Sequence, residues 1–225
     1  MRSKLLLSAA LLAAVALAGC GSKPAEQTTT PTATSPSAVQ ETKTPPTTPT
    51  AAKGARYVAA SGSTASYGVR ETFLGRNLNA TAVGTTAAVK GEIILDGGVI
   101  QPSTVQVDLG TLKSDEDRRD NQVRRALDTT NHPNATFQIT GAEGNPVLKD
   151  GQETALKLQG NMTIKGTTKP LTFDTKATLK GDTVTLTAES TFAMTTFGVT
   201  PPNMAGFVAV VDEVKLTVNF TGKSQ

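Results

Sequence analysis

Residues 160–173 read Gly-Asn-Met-Thr-Ile-Lys-Gly-Thr-Thr-Lys-Pro-Leu-Thr-Phe. In the first arm Met162 and Ile164 alternate with Asn161, Thr163 and Lys165, and Leu156 and Leu158 carry the same phase backwards. In the second arm Leu171 and Phe173 alternate with Thr172 and Asp174. Successive side chains of an extended chain point to opposite faces, so each arm has one apolar and one polar face. Gly166 to Lys169 supply a short Gly-containing turn, and the stretch is expected to form a β-hairpin. Pro170 has no N–H for a ladder, which restricts it to the first residue of the second arm or to an edge.

The same period of two extends outward. Before the hairpin it marks strands over Arg56–Ala60, Thr64–Phe73 (Ala65, Tyr67, Val69 and Phe73 in one phase), Val89–Leu95, Gln101–Leu109 and Ala135–Ile139. After it come Val184 to Met194 and a last strand in which Val208, Val210, Val214, Leu216, Val218 and Phe220 keep phase, with Asp212 interrupting. Asn77–Thr86 is polar and loop-like, and Thr200–Gly206 is a Pro-containing loop. The exception to the strand period is Ser114–Leu127. Ser114 is placed as its N-cap, Asp115, Glu116 and Asp117 fill the first turn, and Arg124 and Arg125 the last, each sign complementing its end of the helix dipole. Val123, Ala126 and Leu127 give it a narrow apolar stripe, so the helix is expected on a surface with its charges solvated. About eight antiparallel strands with one helix pack as a sandwich or close into a barrel, which removes the edges.

Met1–Cys20 has a different character. Arg2 and Lys4 precede an apolar run from Leu5 to Leu17, too short for a bilayer span of roughly 20 residues. A basic start, a short apolar middle and small residues at the end fit a signal peptide over residues 1–19. Leu17-Ala18-Gly19-Cys20 looks like the lipobox of bacterial lipoproteins. That likeness implies that Cys20, the single cysteine, becomes the lipidated N-terminus and anchors the protein to a membrane of the bacterial envelope. Residues 20–54 are rich in Thr, Pro and Ala and poor in large apolar side chains, and such a segment cannot offset its ordering entropy by burial. It is expected to be a disordered tether with an r.m.s. span of roughly 30–35 Å. The domain is expected over residues 55–225, long enough to stand on its core without disulfides.

The formal net charge is +3, with 22 basic and 19 acidic residues. Arg2, Lys4, Lys23, Lys43 and Lys53 against Glu26 and Glu41 account for the excess, so the rest of the chain is balanced. A neutral domain lacks the basic footprint of a nucleic-acid binder. One histidine, His132, and one cysteine cannot supply the usual zinc ligand sets. There is no Gly-x-Ser-x-Gly elbow and no Gly-rich phosphate loop. Nothing sets a nucleophile, a base and an orienting group together. Binding is therefore expected rather than catalysis, with no metal and no cofactor.

Several motifs in combination resemble the YceI-like family of exported bacterial proteins. They are Tyr57, Ser66-Tyr67-Gly68-Val69, Val89 to Asp96, Val105-Gln106-Val107-Asp108 and Arg118-Arg119-Asp120. His132-Pro133-Asn134-Ala135-Thr136-Phe137, Gly160–Phe173, Phe197-Gly198-Val199 and Val211-Asp212-Glu213-Val214 continue the order over about residues 56–222. The chain departs from the family at Arg70-Glu71-Thr72, where relatives carry a less charged strand end, and at Met194-Thr195-Thr196, which lacks a basic residue before Phe-Gly. The resemblance implies an eight-stranded antiparallel, lipocalin-like barrel. It also implies a lumen binding a polyisoprenoid, a quinone-like lipid or a similar amphiphile, as a carrier or scavenger. The candidate lining residues are Tyr67, Val69, Ile93, Phe137, Met162, Ile164, Phe173, Phe192, Met194, Leu216 and Val218, with the Tyr67 hydroxyl as polar handle. The same inward residues could instead fill the lumen, which would make the protein an envelope interaction module with a packed barrel. Oligomeric state is left open by the sequence.

Overall fold

The structure, a computed structural model, describes residues 53–73, 78–204 and 208–225. The leader, Cys20 and nearly all of the Thr/Pro-rich stretch lie outside the described residues. The strands are β1 (Ala55–Ala59), β2 (Thr64–Phe73), β3 (Leu78–Thr86), β4 (Val89–Asp96), β5 (Val99–Asp108), β6 (Asn134–Ala142), β7 (Glu153–Ile164), β8 (Thr167–Lys180), β9 (Thr183–Phe192), β10 (Asn203–Met204) and β11 (Val208–Ser224). A helix, α1 (Asp117–Leu127), lies between β5 and β6, and short 3-10 turns occupy Leu109–Thr111 and Met194–Phe197.

All strand pairing is antiparallel. β1 pairs with β4 on one side and with the end of β11 on the other, which closes the ring β1–β4–β5–β6–β7–β8–β9–β11 into an eight-stranded barrel. β2 and β3 continue the sheet from β11 past the ring. β2 pairs with Val208–Asn219 of β11 and with β3, while among the described residues β3 has no strand on its other side beyond a single bridge from Thr85 to Lys113. The wall is therefore complete at one end and parts at the other, where the chain from Leu109 to Pro133 crosses.

The hairpin of residues 160–173 is β7 and β8, in register from Ile164↔Thr167 to Glu153↔Thr178. Its turn is tighter than expected: the two residues Lys165 and Gly166, both with positive φ, close it, and Thr167 already belongs to β8. This is the backbone that matches the twist of paired strands. Pro170 sits opposite Asn161 in the part of β8 that pairs with β7 alone, before β9 joins at Asp174. Its edge placement follows from that. Gly160 is required by close approach, since a Cβ there would lie 2.3 Å from the backbone O of Gln138 and 2.7 Å from Cζ of Phe137.

Residues 77–86, expected to be loop-like, form β3 from Leu78 onward. The inward residues of β3 are Ala82, Gly84 and Thr86, too small to show as an apolar phase. Gly84 pairs with Tyr67, and a Cβ on it would collide with the Tyr67 ring. Asp212 interrupts β11 as a bulge, with the register shifting between Val210 and Val214. Its carboxylate accepts from Thr195 N (3.1 Å) and Thr195 Oγ1 (2.6 Å), pinning the Met194–Phe197 turn to the wall. In the Thr200–Gly206 loop, Asn203 and Met204 pair with Ala209 and Val208.

The packed core fills the closed half of the barrel. Phe137 and Phe173 meet edge to face with centroids 4.9 Å apart. Around them lie Ile93, Ile139, Leu158, Ala177, Val184, Leu186 and Phe220, all buried. In the other half the inward side chains, valines the commonest among them, leave space.

Candidate functional site

That space is an apolar cavity under α1. Its walls are Ala65, Tyr67 and Val69 of β2, Met162 and Ile164 of β7, Phe192 of β9, and Val208, Val210, Val214, Leu216 and Val218 of β11. Met194, Phe197 and Val199 close one side, and Val107, Leu109, Leu112 and Ala135 the other. The roof is α1, through Arg119, Gln122, Val123, Ala126 and Leu127. The volume open to the centre of a water-sized sphere is about 170 Å³. The apolar part of the lining has few attractive contacts until something fills the space.

The polar groups of the cavity come from β2 and α1. Glu71 shares the inward phase of Ala65, Tyr67 and Val69 and is only 8% exposed. Arg119 meets it with a forked contact, Nε to Oε1 at 3.1 Å and Nη2 to Oε2 at 3.3 Å. Arg119 Nη1 donates in addition to Ser114 Oγ and to Asp115. The bond to Glu71 is the main reason the guanidinium pKa is raised above its ordinary value. A charge-assisted fork of this type holds well where water is scarce.

Beside it, Ser114 caps no helix. The helix starts at Asp117, Glu116 occupies the N-cap position without a side-chain bond, and Ser114 donates from N (2.9 Å) and Oγ (2.7 Å) to Asp120 Oδ1. Asp120 is 2% exposed. Burial works to raise its pKa, but the two Ser114 bonds and Lys113, whose Nζ lies 3.3 Å from Oδ2, outweigh this and hold it below the ordinary value. The expectation that the helix charges form a solvated face is thus corrected at Arg119 and Asp120, which turn inward and fasten α1 over the cavity. Arg124 and Arg125 do lie in the last turn, as expected.

The Tyr67 hydroxyl is buried and has no hydrogen-bond partner among the described residues. Its pKa is pushed up to about 12, chiefly by burial. Arg119 opposes the rise, and the carboxylates of Asp120, Glu71 and Asp115 add to it.

Of the candidate residues, Tyr67, Val69, Met162, Ile164, Phe192, Met194, Leu216 and Val218 surround the cavity. Ile93, Phe137 and Phe173 do not. They belong to the packed half, where Phe137 and Phe173, from the two strands that flank β7, pack edge to face. The α1 stripe, Glu71 and Arg119 were missed by strand reasoning. Glu71 carried a signal, because an acid in the apolar phase of a strand needs a buried cation. His132 is half-buried with its ring against Gly166. No group of three or more metal-ligating side chains occurs among the described residues.

The domain model described as the YceI-like domain matches residues 57–222. The chain is 36% identical over 80 residues to protein YceI of Shigella flexneri, a stretch covering 35% of this chain and 38% of that relative. Among solved structures it is similar to a polyisoprenoid binding domain from Saccharophagus degradans implicated in plant cell wall breakdown. That likeness has a TM-score of 0.61 at 13% identity and covers 77% of this chain and all of the other. BcnA of Burkholderia cenocepacia is similar with a TM-score of 0.55 at 18% identity, over 71% of this chain and 95% of that one. At these identities the structural likeness concerns the fold alone, while the family rests on the match over most of the chain. With the closed antiparallel barrel, the helix across its open end and the matched residues 57–222, the chain belongs to the YceI-like domain family.

Proposed function

We propose that the protein binds the hydrocarbon part of an amphiphilic lipid, of the isoprenoid type, in the cavity beneath α1. We propose further that it does so as a lipoprotein held to an envelope membrane through Cys20, as a carrier or scavenger and not as an enzyme. The observation that carries the reading is the apolar cavity itself, walled by β2, β7 and β11 and roofed by the Val123–Ala126–Leu127 stripe. The domain from Saccharophagus degradans, similar in fold, is a polyisoprenoid binding domain, which supports an isoprenoid ligand. The lipobox pattern and the Thr/Pro-rich stretch before residue 55 support the anchor and the tether. No helix among the described residues is long and apolar enough to cross a membrane.

The energetics suit a hydrocarbon. Each buried CH₂ contributes ~0.8 kcal/mol, so one five-carbon isoprene unit offers roughly 3–4 kcal/mol before ordering costs. In volume the cavity is comparable to an apolar void of about 150 Å³ that takes benzene. A chain of several isoprene units therefore extends beyond this volume. The roof is fastened by the Arg119–Glu71 fork and a narrow apolar stripe, whereas the walls are laced by strand pairing.

Calorimetric titration of the delipidated full chain with farnesane, a head-less branched hydrocarbon, tests the reading. One saturable site with a negative heat-capacity change is expected, because apolar area leaves water. Absence of saturable binding would overturn it.

A further inference from the structure

β3 is an edge of the sheet, and one contact fixes the direction of its backbone groups. Thr85 donates from N to Lys113 O (2.8 Å) and accepts at O from Lys113 N (3.0 Å), so its N–H and C=O both point away from β2. In an antiparallel pair that direction alternates from residue to residue. Gly84, Ala82 and Ala80 therefore bond to β2, while Val83, Thr81 and Asn79 turn their N–H and C=O groups to the open side. Among the described residues these three have no backbone partner there. The open edge runs from Leu78 to Gly84 and ends where Lys113 occupies it.

Exposed edges are ordinarily blunted by a charge, a proline or a bulge. Leu78 to Thr86 holds no charged residue and no proline, and its pairing with β2 runs without a register shift. It carries two exposed large apolar side chains, Leu78 at 57% and Val83 at 49%. The strand is also complementary to itself. About a two-fold axis through Thr81, Asn79 meets Val83 of a second copy and Thr81 meets Thr81, and each of these residues presents both backbone groups to the other. On the opposite face Leu78 meets Gly84, and Ala80 meets Ala82. Like charges are kept apart. Arg70, across from Thr81 on β2, is already paired with Glu213 at 3.0 Å. The Arg70 side chains of the two copies would stand three strand spacings apart, about 14 Å, past a screening length of about 8 Å.

We propose that β3 is a docking edge for a second copy of this chain, paired antiparallel with its own counterpart about a two-fold axis at Thr81. Such an interface is isologous and closed, so it ends at a dimer. Each Leu78 then lies over Gly84 of the other copy, beside the Tyr67 ring that covers this glycine and lines the cavity. One copy thereby backs the cavity wall of the other at the place where the barrel is unfinished. A ladder of this length makes a small interface, and the dimer forms and parts with concentration. The proposal is independent of what the cavity binds.

Oxidative cross-linking of the full chain in the membranes of the expressing cells tests it. Thr81→Cys places a thiol on the edge, and Lys176→Cys places one on the exposed outer face of β8 as the control. Facing residues of a hydrogen-bonded antiparallel pair have Cα atoms about 5.5 Å apart, a span that a disulfide bridges, so Thr81→Cys is expected to give at least about tenfold more covalent dimer than the control. The unmodified chain, with Cys20 alone, supplies the background. Thr81→Pro is the second variant. The Thr81 N–H makes no bond to β2, so proline removes none within the chain, yet it deletes bonds at the axis. The unmodified chain should sediment as a monomer in equilibrium with a dimer that grows with concentration. Thr81→Pro should stay monomeric at the same concentrations, with an unchanged circular dichroism spectrum. The cysteine comparison stands whether or not the proline variant folds. Equal cross-linking of the two cysteine variants, or a product of other than twice the chain mass, would overturn the proposal. So would an unmodified chain that stays monomeric throughout, or a folded Thr81→Pro chain that dimerises as before.

Discussion

Arg119 of α1 and Glu71 of β2 meet in a forked ion pair at 3.1 and 3.3 Å across 48 residues of sequence. The pair ties the roof of the cavity to its wall. It is formed where the barrel is unfinished, because β3 has no strand beyond it there. A helix laid over this opening needs fastening, and an ion pair is a fastening that holds in place without sealing the seam.

Removing one partner should destabilise the protein. In Arg119→Ala, Glu71 is left nearly buried and unpaired. A loss of about 2–4 kcal/mol is expected, below the 3–5 kcal/mol of a fully buried pair because the Arg119 side chain is 20% exposed. The double variant Glu71→Leu with Arg119→Met should recover most of that loss, since a packed apolar pair needs no desolvated charge. Urea denaturation midpoints check both.

Acid should act through Asp120. Its pKa is lower in the folded protein than in the unfolded chain, so its stabilising contribution is present above the ordinary carboxylate value of about 4. The contribution is lost as pH falls through the depressed folded value. Unfolding midpoints measured from about pH 2 to 7 should therefore show a smaller gap between the native protein and Asp120→Asn at the acid end. A gap constant over that range would mean that Asp120 is not held by Ser114 and Lys113 as described.

The two halves of the barrel should answer substitution differently. Phe173→Ala removes a side chain from the solid half and should cost about 3–5 kcal/mol. Gly160→Ala should cost about 1–3 kcal/mol, because its methyl group meets the backbone carbonyl of Gln138 as well as the Phe137 ring. Leu216→Trp, by contrast, adds volume to the hollow half and should leave the thermal midpoint nearly unchanged. Differential scanning calorimetry of these variants separates core from cavity.

These contrasts show which features a sequence can carry. The hairpin of residues 160–173 was legible because large apolar side chains alternate with threonine and lysine, and a closed barrel follows once every strand has one greasy face. β3 was not, because its inward residues are Ala82, Gly84 and Thr86, and the size of Gly84 is decided by a ring on another strand. Nor could alternation tell lining from filling. Met162 and Phe173 carry the same pattern, yet Met162 borders the cavity and Phe173 is packed against Phe137. That difference depends on level along the barrel, which is set by register and by side chains from distant strands. The helix gave its charges but not their direction. Ser114 looked like a cap, and the structure uses it to hold Asp120, a partner six residues on and one turn inside the helix.

The central claim is that the hollow half of the barrel holds an amphiphile. Mass spectrometry of the organic extract from the full chain, purified natively from membranes, tests it most directly when Leu216→Trp and Phe173→Leu are purified alongside. An isoprenoid-type lipid is expected at close to one per chain in the unmodified protein and in Phe173→Leu, and strongly depleted in Leu216→Trp. Repeated recovery of no lipid from the unmodified protein, or equal recovery from all three, would contradict the account.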